Sequence, residues 1–280
     1  MQFVMFSKML ISLPVDEVGT VVKDLGFDGV DLTVRPGGHV LPEEVTRELP
    51  RAVETLRRCD LGVPMITTGI VAADAEAEAV FRAAADSGVS ALKLGYWSYR
   101  PFGTLTAQID AARRELDGIE RLAAMTGVCA CIHTHSGNYL SATAAGLERL
   151  LRDRDPARVA AYLDAGHMAV EGGLSGWQQG IDLLQDRVRL LAVKDFGWTR
   201  AGEGKEGWRP QLVPLEAGIV RWPEVFRCLR QIGFDGIVSL HSEYQGSHSW
   251  RDLSLEELIE QTRADLRYLR PVIAGAGYGS

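Results

Sequence analysis

The chain has 280 residues, 46% of them hydrophobic and 24% charged, with 37 acidic against 30 basic side chains, and a formal net charge of −7. These are globular proportions, and the acidic balance argues against a nonspecific grip on nucleic-acid phosphates or an anionic membrane, leaving small molecules as the expected partners. The length fits either two ordinary domains or one large α/β unit, and the 30 glycines, above the usual share of ~7%, predict many short turns.

Cys59, Cys129, Cys131 and Cys228 make no CxxC pair, which predicts free thiols in a reduced, cytoplasmic protein. The amino-terminal stretch MQFVMFSKMLISLPVDEV is broken by Ser7, Lys8 and Ser12 and is followed by no small-residue cleavage pattern. No apolar run approaches the ~18 residues of a membrane helix. Neither secretion nor membrane insertion is expected.

In chain order, short β-rich runs alternate with amphipathic stretches. The runs are Gln2 to Phe6, Gly29 to Val34, Val63 to Ile70, Ala91 to Gly95, Val128 to His133, Val159 to Asp164, Val188 to Lys194 and Gly236 to His241. Helices are predicted over Val15 to Leu25, Pro42 to Cys59, Asp74 to Ser87, Thr106 to Thr126, Ala142 to Arg152, Gly176 to Gln185, Trp222 to Ile232 and Ser254 to Leu269. Leu25-Gly26-Phe27-Asp28-Gly29-Val30 and Ile232-Gly233-Phe234-Asp235-Gly236-Ile237 repeat one device, a glycine that stops a helix and a turn that feeds the next strand. Ser254 with Glu257 three residues on has the pattern of a capping box. No linker or composition shift divides the chain, and no GxGxxG follows the first run. The expected fold is a single (β/α)8 barrel spanning residues 1–280, with its chemistry at the carboxyl ends of the strands.

That expectation sorts the polar residues. The fifth run ends Cys131-Ile132-His133-Thr134-His135, and because residues two apart share a face, His133 and His135 both project inward. Such an HxH is either a metal clamp or hydrogen-bonded barrel filling. The sixth ends Asp164-Ala165-Gly166-His167, a carboxylate and an imidazole at one mouth, or an aspartate that caps the next turn. The seventh carries Lys194 to the same end, as an oxyanion holder, a base or one half of an ion pair. The eighth places Ser239, His241 and Glu243 on one face. Four consecutive strands thus end in ionisable groups, more than packing requires. Asp31, Arg35 and His39 after the second run and Lys93 with Tyr96-Trp97-Ser98-Tyr99 after the fourth are further candidates for the mouth. Arg35, His39, His135, Trp97 and Trp198 are expected to contact substrate, although an exposed tryptophan also serves an oligomer interface.

The segments LDAGH (Leu163 to His167), AVKDF (Ala192 to Phe196) and GFDGIVSLHSEY (Gly233 to Tyr244) resemble the xylose isomerase-like barrel superfamily, which groups sugar epimerases and isomerases, inosose dehydratases and endonuclease IV-type enzymes. The resemblance extends over essentially the whole chain. VDLTVRPGGHVLPE (Val30 to Glu43) and CIHTHSGNYLS (Cys131 to Ser141) look like a subgroup of sugar phosphate isomerase/epimerase-like proteins. Members hold one divalent metal through a Glu, an Asp, a His and a Glu on strands five to eight. Carried over position by position, the Asp is Asp164 and the substrate-contacting His after it is His167. His133, Ala192 and His241 stand where the family has Glu, His and Glu. The resemblance therefore implies a divalent metal (Mn, Co, Fe, Zn or Mg) on His133, Asp164 and His241, with Glu243 or His135 as a fourth ligand.

On this reading the protein is a metal-dependent isomerase, epimerase or dehydratase (lyase) acting on a sugar, keto-sugar or cyclitol, with Lys194, Glu243 and His167 as the proton-moving residues. In the family's ketose 3-epimerases two metal-bound glutamates trade the proton, and both are histidine here, which argues against that mechanism. A noncatalytic sugar-binding paralogue, or a subunit of a larger assembly, is the competing reading. Abasic-site cleavage is disfavoured by the charge and the missing ligands. The absence of a glycine-rich phosphate loop favours an unphosphorylated substrate, and barrels of this kind form homodimers or homotetramers.

Overall fold

A computed structural model describes residues 1–202 and 207–278. Its strands are β1 (Gln2–Phe6), β2 (Gly29–Val34), β3 (Gly62–Thr68), β4 (Ala91–Lys93), β5 (Cys129–His133), β6 (Val159–Asp164), β7 (Val188–Val193), β8 (Asp195–Arg200), β9 (Trp208–Val213) and β10 (Ile237–Leu240). The α-helices are α1 (Val15–Leu25), α2 (Val45–Arg58), α3 (Ala75–Asp86), α4 (Leu105–Thr126), α5 (Ala144–Leu151), α6 (Ala165–Gly172), α7 (Gly176–Leu184), α8 (Trp222–Gln231) and α9 (Leu255–Gly275). Among the described residues no helix is long and apolar enough to cross a membrane.

Strands β1 to β7 and β10 close into a parallel barrel in the ring order β1-β10-β7-β6-β5-β4-β3-β2, the expected (β/α)8 architecture. Because each strand is followed by a helix that returns over the outside, the outward faces pack against helices and the inward faces pack against one another. Leu32, Ile66, Leu92, Ile132, Leu163 and Leu191 belong to the outer core, between the sheet and the helices. Met65, Ala91, Cys131, Leu190, Ala192 and Ile237 fill the barrel itself. The two repeated helix stops carry Gly26 at φ +80° and Gly233 at φ +72°, a left-handed conformation that glycine adopts without steric cost. Ser254 and Glu257 form the anticipated capping box at the start of α9.

Two elements depart from the sequence reading. The helix α6 is Gly- and Ala-rich and only eight residues long, too short to show a period, and Asp164 starts it by accepting a hydrogen bond from the His167 amide at 2.9 Å. After Lys194 the chain forms an antiparallel hairpin of β8 and β9 in place of a plain loop. It is buried only where β8 leaves the barrel and near the end of β9, and neither strand has a continuous apolar run to mark it in the sequence.

The hairpin is anchored to the barrel by Asp195. Its buried carboxylate accepts from the amides of Phe196 (2.8 Å), Ile219 (2.9 Å) and Val220 (3.1 Å) and from the Trp222 indole (2.9 Å). Gly218 lets the chain pass close by, since a Cβ there would fall 1.8 Å from the Asp195 carboxyl carbon. Asp195→Ala strands these donors away from water. We expect it to cost about 2–4 kcal/mol in urea unfolding, because each unsatisfied buried donor costs ~1–3 kcal/mol. A loss within experimental error would show that the hairpin is held by other contacts.

Candidate active site

The inward face of the barrel changes character along its axis with a period of two. Met65, Ala91, Cys131, Ala192 and Ile237 are apolar, and the next inward positions are Thr67, Lys93, His133, Lys194 and Ser239, all buried. At the carboxyl end this places titratable side chains on a floor of hydrocarbon, where charges are poorly screened and partners are needed.

Lys194, 3% exposed, stands at the centre of the site. Its ammonium donates to Glu243 Oε2 at 2.8 Å and lies 3.6 Å from Asp164 Oδ2. Burial alone would lower the ammonium's pKa, but Glu243 and Asp164 raise it above the ordinary value. Burial would likewise raise the Glu243 carboxyl, yet Lys194, His241 and Lys8 hold it well below the usual range. Lys8 pairs with the other Glu243 oxygen.

Imidazoles surround this cluster. His133 Nε2 lies 3.3 Å from Asp164 Oδ2, and its Nδ1 meets the Tyr96 hydroxyl at 2.8 Å. His241 Nε2 meets the Tyr162 hydroxyl at 2.8 Å, while its Nδ1 has no hydrogen-bond partner and lies 3.8 Å from Glu243. His135 lies against His167, the rings tilted by 35° with centroids 3.9 Å apart. His167 Nδ1 meets the Ser136 hydroxyl at 2.8 Å, and its Nε2 is buried without a partner. Burial, reinforced by Lys194, depresses His133 and His167 well below the ordinary histidine value and His135 to about 4. His241 is also lowered by burial. The histidines are therefore neutral at physiological pH.

On the opposite wall, Lys93 is 4% exposed and holds its ammonium 3.5 Å over the Tyr96 ring. Burial, and next the Arg35 charge, bring its pKa down to about 7. Asp31 below it bonds Thr67 and Ser239 through its two oxygens at 2.8 and 2.9 Å, and burial pushes its carboxyl up to about 7.

These groups line a cleft of about 100 Å³ at the carboxyl ends of the strands. Of the residues expected from sequence, Arg35, Lys93, Tyr96, His133, His135, Lys194, His241 and Glu243 line it. Asp164 lies just beneath, and His167 sits behind His135. His39 is turned away to Thr33 and the Leu10 carbonyl. Trp97 packs against the outer core, and Trp198 lies on the hairpin, 47% exposed. None of these three lines the cleft. Lys8, Thr67 and Tyr162 do, and the sequence reading passed over them. Each stands near the carboxyl end of its strand, so the strand-end rule applied to every strand would have found them.

A divalent ion does not fit these residues as they stand. The ammonium of Lys194 already sits with Glu243 and Asp164, where a cation would go, and a metal there would face its charge. His133 has both ring nitrogens engaged, and His241 turns Nε2 to Tyr162. Among the described residues no three His, Cys, Asp or Glu side chains converge as a metal-binding group.

Fold and site define a closed parallel (β/α)8 barrel with an ionisable cleft at the carboxyl ends of its strands. The chain belongs to the xylose isomerase-like TIM barrel family, whose model matches residues 20–272. Among solved structures it is similar to the apo form of 3-keto-D-glucoside 4-epimerase from E. coli, at 16% identity over 97% of this chain and 99% of that one, with a TM-score of 0.72. It is also similar to D-psicose 3-epimerase in the presence of D-fructose, at 17% identity over 98% and 99% of the two chains and a TM-score of 0.70. A xylose isomerase-like TIM barrel protein from Mycobacterium smegmatis in complex with magnesium matches at 12% identity over 98% and 97%, with a TM-score of 0.68. At these identities the likeness is one of fold. No curated protein sequence matches the chain.

Proposed function

We propose that the protein is an isomerase or epimerase that moves a proton next to the carbonyl of a sugar or keto-sugar. One observation carries this reading. Lys93 on β4 and the His241–Glu243 pair at the end of β10 are four strands apart in a ring of eight, on opposite walls of one cleft, with the Lys194 ammonium between charged partners at its floor. Proton carriers on opposite walls can address both faces of a flat enediolate, which inversion at carbon requires.

Lys194 takes the electrophilic part. Its ammonium hydrogen-bonds the substrate carbonyl oxygen and holds the negative charge that develops there, a contribution of about 10²–10³-fold in comparable sites. Lys93, near neutrality in its uncharged form, accepts the proton from the adjacent carbon, since a base with a pKa close to the working pH is the most efficient. His241, first protonated from solvent at Nδ1 beside the Glu243 carboxylate, returns that proton from the other wall and is neutral again, while the proton on Lys93 leaves to solvent. Glu243 is held too acidic to be the base and instead fixes Lys194 and His241. Asp164 holds Lys194 and His133 in place from beneath, and His167 supports His135 from behind. The functional relatives in this fold, the two sugar epimerases above, lend the substrate class.

The test is deuterium wash-in from heavy water into a panel of aldoses, ketoses and 3-keto-glucosides, followed by NMR. Exchange at the carbon beside the carbonyl is expected, undiminished by EDTA and without stoichiometric metal in the purified protein. Exchange that vanishes with EDTA and returns with Mn or Co would reassign the electrophile from Lys194 to a metal. No exchange with any member of the panel, together with binding of a sugar, would support the noncatalytic reading. That reading draws on the histidines that stand in place of both family glutamates.

A further inference from the structure

The cleft has more positive charge than its carboxylates balance. Four basic side chains line it, Lys8, Arg35, Lys93 and Lys194, and among the described residues Glu243 is the only lining carboxylate. Lys8 and Lys194 both pair with Glu243, and Lys194 also has Asp164. Arg35 and Lys93 have no such partner: among the described residues neither makes a salt bridge, and each rests against an aromatic ring. The Arg35 guanidinium lies 5.9 Å from the Phe6 centroid and the Lys93 ammonium 3.5 Å from that of Tyr96, and both rings also line the cleft. The other carboxyl near Lys93, Asp31, spends its oxygens on Thr67 and Ser239.

We propose that the substrate is an acidic sugar whose anionic group, a carboxylate or a phosphate, seats on the Arg35 guanidinium, leaving Lys93 beside it for the carbon proton. The inference rests on the assignment of this cleft as the sugar site, and deepens it by naming the charge class. The Arg35 guanidinium lines the cleft without a carboxylate partner, and a group with two or more anionic oxygens supplies the missing counter-charge. A planar guanidinium can take two of those oxygens in parallel hydrogen bonds. Both positions stand on the β2–β4 side of the ring, away from the Lys194–Glu243 pair on the β7–β10 side. A bound anion would therefore orient the molecule, its acidic end toward Arg35 and its reacting carbonyl toward Lys194. The sequence reading, led by the missing glycine-rich loop, favoured an unphosphorylated sugar. A side-chain anion site needs no such loop.

The experiment is calorimetric titration of the full chain, near neutral pH and at low salt, with D-gluconate, D-fructose 6-phosphate and D-fructose. At least one of the two acids should bind about tenfold or more tightly than D-fructose, and added salt should weaken only the acid. Preference for gluconate identifies a carboxylate site, and preference for fructose 6-phosphate a phosphate site. Arg35→Gln, at a half-exposed position that tolerates substitution, should cut the affinity for that acid about tenfold and leave D-fructose little changed. Equal or tighter binding of D-fructose, no binding of either acid, or acid affinity unmoved by Arg35→Gln would overturn the proposal. Turnover is not the readout, so failure is separable: acid preference without carbon-proton exchange on any member of the sugar panel sinks the isomerase reading alone, and exchange on neutral sugars without acid preference sinks this one alone.

Discussion

Lys194→Met is expected to slow deuterium exchange by about 10³-fold and to lower the free energy of unfolding by about 3–5 kcal/mol at neutral pH. Both effects follow from one geometry. The ammonium lies 2.8 Å from Glu243 and 3.6 Å from Asp164, all three buried. Methionine fills much of the same volume but leaves two carboxylates facing each other in a low-dielectric site. Removing one partner of a buried pair costs more than the pair contributed, because the remaining charge keeps its desolvation penalty. The pH dependence distinguishes this from simple cavity formation. In the parent, the Glu243 carboxyl is depressed on folding, so the stability it contributes is present above its ordinary range and is lost as the pH falls through the folded value. In the variant its burial is no longer offset by Lys194, the folded carboxyl rises, and the sign reverses. Lys194→Met should then regain stability on acidification toward pH 5, an interval that lies above both the folded and the unfolded value of the parent's Glu243 and leaves its contribution unchanged. Urea midpoints at neutral pH and near pH 5 measure this, and equal changes in the two proteins would show that Lys194 does not balance these carboxylates. Lys194→Arg should keep most of the stability and less of the rate, since the charge is retained but the donor is displaced.

The barrel was legible because its signals are local and redundant. Eight β-rich runs, two matched glycine stops and a capping box each arise from neighbouring residues, and all eight runs became barrel strands. The hairpin and α6 were not, because what forms them is supplied at a distance or at a single residue. Asp195 gathers donors from residues 219, 220 and 222, and one carboxylate starts the helix. The site was half legible for the same reason. Alternation along a strand told that His133, Lys194 and His241 point inward, and they do. It could not tell which inward neighbours face each other across the ring. Lys194 therefore stood in the sequence as one of several candidates, and its place between Glu243 and Asp164 came only with closure of the barrel. Trp198 failed as a cleft residue because the hairpin carries it outward, and Lys8 was passed over because the first strand ends in apolar residues just before it.

Lys93→Met is expected to make the protein more stable and less active at once. Burial and the Arg35 charge bring this lysine from 10.5 to about 7. One pKa unit corresponds to ~1.4 kcal/mol, so a shift of this size sets a ceiling of about 5 kcal/mol on the cost of folding with the ammonium in place. The sign follows from proton binding. A lysine depressed on folding binds fewer protons in the native state than in the unfolded chain between the two pKa values, so the parent gains stability as the pH rises above about 7, while below it the full cost of the buried ammonium is carried. Methionine removes the cost without opening a large cavity. The variant should therefore exceed the parent by about 2–4 kcal/mol near pH 6, and the gap should narrow by roughly 1 kcal/mol on going to pH 8. Carbon-proton exchange should fall by about 10²–10⁴-fold, the usual contribution of a positioned base. A purely structural lysine would give the opposite pairing, lost stability with activity retained per folded molecule. Stability sacrificed at one residue and recovered by deleting its function is the signature of a site selected for chemistry over packing. Paired denaturation and exchange measurements on Lys93→Met would read that signature, and a destabilised variant that still exchanges would remove Lys93 from the mechanism.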